Sequence, residues 1–440
     1  MTVTVAGCDC GKSELYVCVL NESDRPKNFK QFGRSYKPLI LKPNREGIDT
    51  LLALPVDAYA IEPTGSYSYI WIEALQSSGK LVRVTSSTRV RHFCRYQGVS
   101  NKGDRLDAAA IAVYTLENYD DDSAFLSLER FRLRELYLNL NSTIRSRNPL
   151  HNRLGQRLGY ECPEVVSTYE NSDRPWLKKD APALFRALAG ENVKGPYSEK
   201  RAQIIENTMG RGISPHTRAL AAQLCGFHNI EWQLEQEIDR EMSRAEFQPY
   251  HAVFDRFEMG AKCRAAILSR IYPFEQFLNP VDGRPVREYV YGENSARASG
   301  KTKRDRSEAA FKLSLGMGKI LIQSGSSSEW KAGGSRYCRT ALWLYVKTTI
   351  VIHRKRCHGV DFMAAYKTAI AEIAPSKESP WLNAELIKAI AIATGSSEEV
   401  TGLRIHYHCC TNKKGDRRTS ATAGRMCRML YKALVKSLVR

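Results

Sequence analysis

The stretch Val3-Thr4-Val5-Ala6-Gly7-Cys8-Asp9-Cys10-Gly11-Lys12-Ser13-Glu14-Leu15-Tyr16-Val17-Cys18-Val19-Leu20 decides the fold. Two apolar, β-branched runs, Val3–Cys8 and Leu15–Leu20, flank the polar turn Asp9–Lys12 and read as strands. Working outward, Val56–Ile61 is a third short run that ends at Glu62 and Pro63, and Leu81–Thr85 is a fourth. Tyr69–Leu75 and Asp104–Leu116 have helical spacing, the second through Leu106, Ala110, Ile111 and Tyr114. Strands alternating with helices predict a mixed α/β layer over residues 1–124.

Farther along, the pattern turns helical. Leu220, Leu224, Phe227, Ile230, Leu234, Ile238 and Met242 recur at three- and four-residue steps, which suits either an ordinary helical core or a coiled coil. Pro163–Pro196, rich in Pro, Gly and charge, reads as a loop-rich insertion. Beyond Phe254, the segments Cys263–Ile271, Glu308–Gln323 and Tyr337–His353 read as helices, with a basic loop or hairpin at Arg297–Arg306. The expected class is therefore α/β plus all-α. Its three parts are an α/β domain at 1–124, a helical or coiled-coil region at 125–250 and a mainly helical domain at 251–440.

The chain has 440 residues, and its 66 Lys and Arg against 47 Asp and Glu leave a formal charge of +19. Such an excess favours a polyanionic partner, because each neutralised phosphate releases counterions. No basic leader with an apolar core opens the sequence, and the longest apolar run, Ala341–Ile352, is interrupted by Lys347. A secretory signal and a membrane span are thus not expected. Twelve cysteines without paired CxxC spacing suit free thiols in a reducing cytoplasm.

Four carboxylates stand out by position. Asp9 ends the first strand, where alternation turns Cys8 and Cys10 to the opposite face. Glu62 ends a later strand, and Asp104 and Asp107 share one face at the start of a helix. Taken singly, each has an ordinary explanation as a cap, a turn or a solvated charge. Together, carboxylates from two strand ends and a helix suit hard cations such as Mg²⁺, which take oxygen ligands and leave positions open for phosphate.

Ala6-Gly7-Cys8-Asp9-Cys10-Gly11-Lys12, Ile61-Glu62-Pro63-Thr64-Gly65-Ser66-Tyr67 and Asn101-Lys102-Gly103-Asp104-Arg105-Leu106-Asp107-Ala108 resemble the N-terminal motifs of the DEDD transposases. These are the insertion-sequence recombinases of the IS-one-ten group. The resemblance implies a ribonuclease-H-like (RuvC-like) domain whose acidic residues bind catalytic Mg²⁺; here they fall on Asp9, Glu62, Asp104 and Asp107. A looser block follows at Phe257-Glu258-Met259-Gly260, Gln323-Ser324-Gly325 and Lys331–Arg339. In the family a serine is the covalent nucleophile toward DNA phosphate, so Ser324 inherits that role, with Ser326, Ser327 and Ser328 left open beside it.

The resemblance further implies donor and target DNA, a structured non-coding guide RNA and a homodimer or homotetramer, acting in the cytoplasm at the nucleoid. Lys301, Lys303, Arg304, Lys331, Arg336, Arg339, Lys413, Lys414, Arg417 and Arg418 are the candidate phosphate contacts. Two alternatives stay open. One is a metal-dependent nuclease or junction resolvase using water, and the other is a nucleic-acid-binding descendant without catalysis.

Overall fold

The computed structural model describes the chain except residues 1, 64, 100–102, 127, 167–178, 194–195, 292–300, 325–326, 352–360, 373–382, 410–414 and 440. It divides into two compact units, Met1–Arg132 and Leu133–Arg440.

The first unit is a mixed α/β layer. Its strands are β1 (Thr4–Cys10), β2 (Leu15–Asn21), β3 (Leu39–Leu41), β4 (Ala58–Glu62) and β5 (Val82–Val84), in the order β3-β2-β1-β4-β5. β2 runs antiparallel to β1 and β3, whereas β4 runs parallel to β1 and β5. Helices α1 (Phe29–Ser35), α4 (Ser87–Tyr96) and α5 (Asp104–Glu117) cover the face that carries Val5, Ala58 and Ala60. α2 (Arg45–Leu52) and α3 (Tyr69–Ser77) cover the face of Ala6, Cys8, Cys10, Tyr59 and Ile61. Sequence periodicity leaves β3 and the short helices α1, α2 and α4 unseen. β3 has only three residues, with Leu39 and Ile40 exposed. α1 and α2 rely on side-chain caps, with Asn28 accepting from Gln31 N and Asn44 from Gly47 N.

α5 lies hard against β1. A Cβ on Gly7 would stand 2.3 Å from Ala112 N and 2.5 Å from Ala108 O. Only glycine on the strand, facing alanines on the helix, permits that approach.

In the second unit, the long helix α6 (Leu128–Glu161) and the helix Pro215–Met242 run antiparallel. Arg157 Nε donates to Thr217 Oγ1 at 2.7 Å, and ten residues back Arg147 pairs with Glu231 at 3.3 Å. The apolar stripe on Pro215–Met242 is shared between two cores. Leu220 and Leu224 pack with Leu154 and Leu158, whereas Ile238 and Met242 join Leu133, Tyr137 and Leu140 in a larger core. Ile230, midway along, is exposed.

A polar layer separates the two cores. Glu231 is buried beside Arg147, and Lys262 pairs with Glu235 at 2.5 Å. Arg147 Nε and Glu231 Oε1 are buried without hydrogen-bond partners among the described residues. Burial raises both carboxyls from their ordinary values, against the pull of the nearby cations.

The larger core also takes in the helices Gln248–Arg256, Ala261–Ile271, Arg306–Ser314, Arg336–Tyr345 and Gly415–Leu438, so residue 250 falls within it. One expected element is corrected. The helix read over Glu308–Gln323 stops at Ser314, because Gly316 takes a left-handed φ of +77°. The β-rich run that follows becomes β8 (Lys319–Ser324), paired with β9 (Ser327–Ala332). The basic segment near 301 is half of another hairpin, β6 (Arg287–Tyr291) with β7 (Lys301–Asp305). No described helix is long and apolar enough to cross a membrane.

Gly7→Ala is expected to destabilise the protein by about 3 kcal/mol, since backbone atoms of α5 have nowhere to move. Chemical denaturation would measure this, and an unchanged midpoint would contradict the close approach.

Candidate active site

Asp9 and Glu62 are partners in the parallel register of β1 and β4, the last pair of a series that begins Val5–Ala58 and Gly7–Ala60. Alternation puts both residues on the α5 face, on neighbouring strands about 4.8 Å apart. Cys8 and Cys10 point the other way, into the opposite core. Burial pushes the Cys10 thiol well up, and the charges on Cys8, Asp9 and Glu62 add to it.

The packing of α5 on Gly7 brings the helix's first turn over this strand end. Asp104 and Asp107 occupy that turn, where the helix dipole favours acidic side chains. Asp104 is exposed and Asp107 half-buried. Three neighbours register the grouping. The Cys94 thiol on α4 is pushed up to about 11 by burial first and then by Asp107 and Glu62. The Tyr16 hydroxyl is raised by its 2.8 Å hydrogen bond to Glu14, then by burial, and also by Asp104 and Asp9. Cys10 senses Asp9 and Glu62 together. The four carboxylates therefore share one end of the sheet.

Their chemistry, oxygen donors only, fits a hard divalent cation. Among the described residues, no three His, Cys, Asp or Glu side chains form a ready ligand group, so the carboxylates adjoin without closing on a single point. Sequence reasoning missed Tyr16 and Glu14. Tyr16 is the cross-strand partner of Asp9, which the length of the turn between the two strands could have revealed.

Ser324 ends β8, in register with Ser327, at the tip of the β8–β9 hairpin. The base of that hairpin is tightly built. Arg339 donates from Nε to Gly316 O at 2.8 Å and from Nη2 to Gly333 O at 3.1 Å, so this candidate phosphate contact serves the backbone. Lys331 is exposed and paired with Glu329 at 3.3 Å, next to the exposed Trp330. Arg304, Arg336 and Arg417 are exposed, and Arg418 lies over the Tyr407 ring at 5.4 Å. Lys301 and Lys303 lie on β7, but their side chains, like that of Ser324, are outside the described residues, as are Lys413 and Lys414 altogether.

No family model matches the sequence, and no curated protein matches it. Among solved structures the chain is similar to T. thermophilus RuvC in complex with a Holliday junction substrate. The two are 14% identical over 28% of this chain and 99% of that one, with a TM-score of 0.19. A likeness that low carries no argument about activity.

Asp104→Asn is expected to leave the metal-free melting temperature within about 1 °C, because the residue is exposed. The same change should at least halve the rise in melting temperature that millimolar Mg²⁺ produces in the wild type. An undiminished rise would remove Asp104 from cation binding.

Proposed function

We propose that the chain is a metal-dependent DNA recombinase of the DEDD transposase kind, cutting and rejoining phosphodiesters. The observation that carries this reading is the in-register pair Asp9–Glu62 at the strand ends, with Asp104 and Asp107 on the first turn of the helix above. The sheet order β3-β2-β1-β4-β5, with β2 alone antiparallel to both its neighbours, supports a ribonuclease-H-like domain.

Asp9, Glu62, Asp104 and Asp107 would hold Mg²⁺, which when bound neutralises phosphate charge and stabilises the leaving oxygen. Ser324 is assigned as nucleophile: its Oγ forms a bond to phosphorus and gives its proton to solvent, while the bond to the sugar oxygen breaks and that oxygen takes up a proton from solvent to leave as a hydroxyl. Religation reverses that step on a different strand end. The net charge of +19 supports contact with donor and target DNA and with a non-coding guide RNA. Pairing with that RNA would supply sequence specificity while the protein reads backbone and shape. A homodimer or homotetramer belongs to the same proposal.

Asp9→Asn should lower Mg²⁺-dependent strand cleavage by about a thousandfold or more while changing nucleic-acid affinity less than about threefold. Junction sequencing of recombination in cells, with filter binding alongside, would measure both. Loss of binding together with cleavage would make Asp9 structural. Cleavage that survives Ser324→Ala would move the mechanism to a water nucleophile.

A further inference from the structure

Two arginines in the second unit lie within electrostatic reach of one another, and among the described residues neither has an ion-pair partner. Arg134 lies on α6, and Arg270 lies in the last turn of the helix Ala261–Ile271. Both are half-buried. Their helices contribute to the same core, Leu133 and Tyr137 from one and Ile267 and Ile271 from the other. Arg134 Nε is buried with no hydrogen-bond partner, and among the described residues no ion pair or side-chain hydrogen bond reaches either guanidinium. Burial first, and then the charge of Arg134, depress the Arg270 guanidinium from its ordinary value.

Half-buried arginines normally carry a carboxylate partner, because a desolvated, unpaired cation is costly. Three arginines of this unit follow that rule, whereas Arg339 and Arg404 bond to carbonyl and hydroxyl oxygens instead. Arg147 has Glu231, Arg157 has Glu161, and Arg264 has Asp255. Two cations left together and unpaired are complementary to an anion that supplies two or more oxygens. A guanidinium fork matches phosphate in this way.

The surroundings indicate what kind of phosphate. Arg145 lies eleven residues along α6 from Arg134, close to three helical turns, so the two share a face about 16 Å apart. Its guanidinium sits over the Tyr337 ring at 5.4 Å, and the neighbouring Arg336 is exposed. The cationic row therefore extends well beyond one phosphate group and suits a strand with repeating phosphates.

We infer that Arg134 and Arg270 form a clamp for a backbone phosphate of a nucleic-acid strand running along α6 toward Arg145. This rests on the chain being a nucleic-acid enzyme, but not on the carboxylate chemistry. The clamp is a binding element, and the repulsion stored in the free protein is relieved when the phosphate arrives.

The test uses the full-length chain. Fluorescence anisotropy would follow a labelled DNA duplex and, separately, a labelled single-stranded RNA across a range of NaCl concentrations. Arg134→Gln, Arg270→Gln and, as a control, the exposed Arg240→Gln would be compared with the wild type, each with its ligand-free melting temperature. Each clamp variant should bind at least one probe about tenfold more weakly. The slope of log affinity against log salt should shallow by about 1. Melting temperature should hold or rise, because a like-charge contact has been removed. The probe affected identifies whether the clamp reads DNA or RNA.

Affinity equal to that of Arg240→Gln for both probes would overturn the clamp. So would weaker binding accompanied by a lower melting temperature, which would make the arginines structural. A wild type that binds neither probe would refute the nucleic-acid reading itself.

Discussion

The close approach of α5 to β1 at Gly7 is the constraint on which the first unit depends. A helix normally stands off a sheet by the height of its side chains. Here glycine on the strand and alanines on the helix let backbone meet backbone. Asp9 is two residues beyond Gly7, and Asp107 is one residue before Ala108, so the same contact that closes the core sets the carboxylates over the strand ends. Stability and site geometry are therefore determined by one glycine, and neither can drift without the other.

How far the fold and site were legible in the sequence follows from where the signal is local. β1, β2, β4 and α5 are continuous apolar or periodic runs, and their carboxylates sit at predictable ends. The facing of Cys8 and Cys10 away from Asp9 follows from strand alternation alone. What escaped is non-local or short. β3 is recognisable only through its pairing with β2. The run before Ser324 carries helix-compatible residues, and only the glycine after Leu315 redirects it. The stripe on Pro215–Met242 is continuous in sequence, yet its halves serve different cores, which nothing in its periodicity distinguishes. The pairing of Arg134 with Arg270 joins residues far apart in the chain and leaves no local pattern.

The proposed chemistry and the proposed clamp share a physical logic. Each gathers like charges that repel in the free protein, carboxylates in the first unit and guanidinium groups in the second. Each is complementary to an ion of opposite charge, a divalent cation in one case and a backbone phosphate in the other. Folding tolerates both because the surrounding cores are large, and each costs only a small part of the stability that those cores supply.

The polar layer around Glu231 and Glu235 has a consequence of its own. Apolar contact couples neighbouring turns of a helix pair, and a layer of incompletely satisfied charges weakens that coupling locally. The outer stretch of the two long helices, with the small core around Leu154, Leu158, Leu220 and Leu224, is thereby set off as a separate cooperative unit. In amide exchange this outer stretch would open at a lower free energy than the stretch around Ile238 and Met242. The protein would then hold an arm that can melt and re-form while its larger core stays folded.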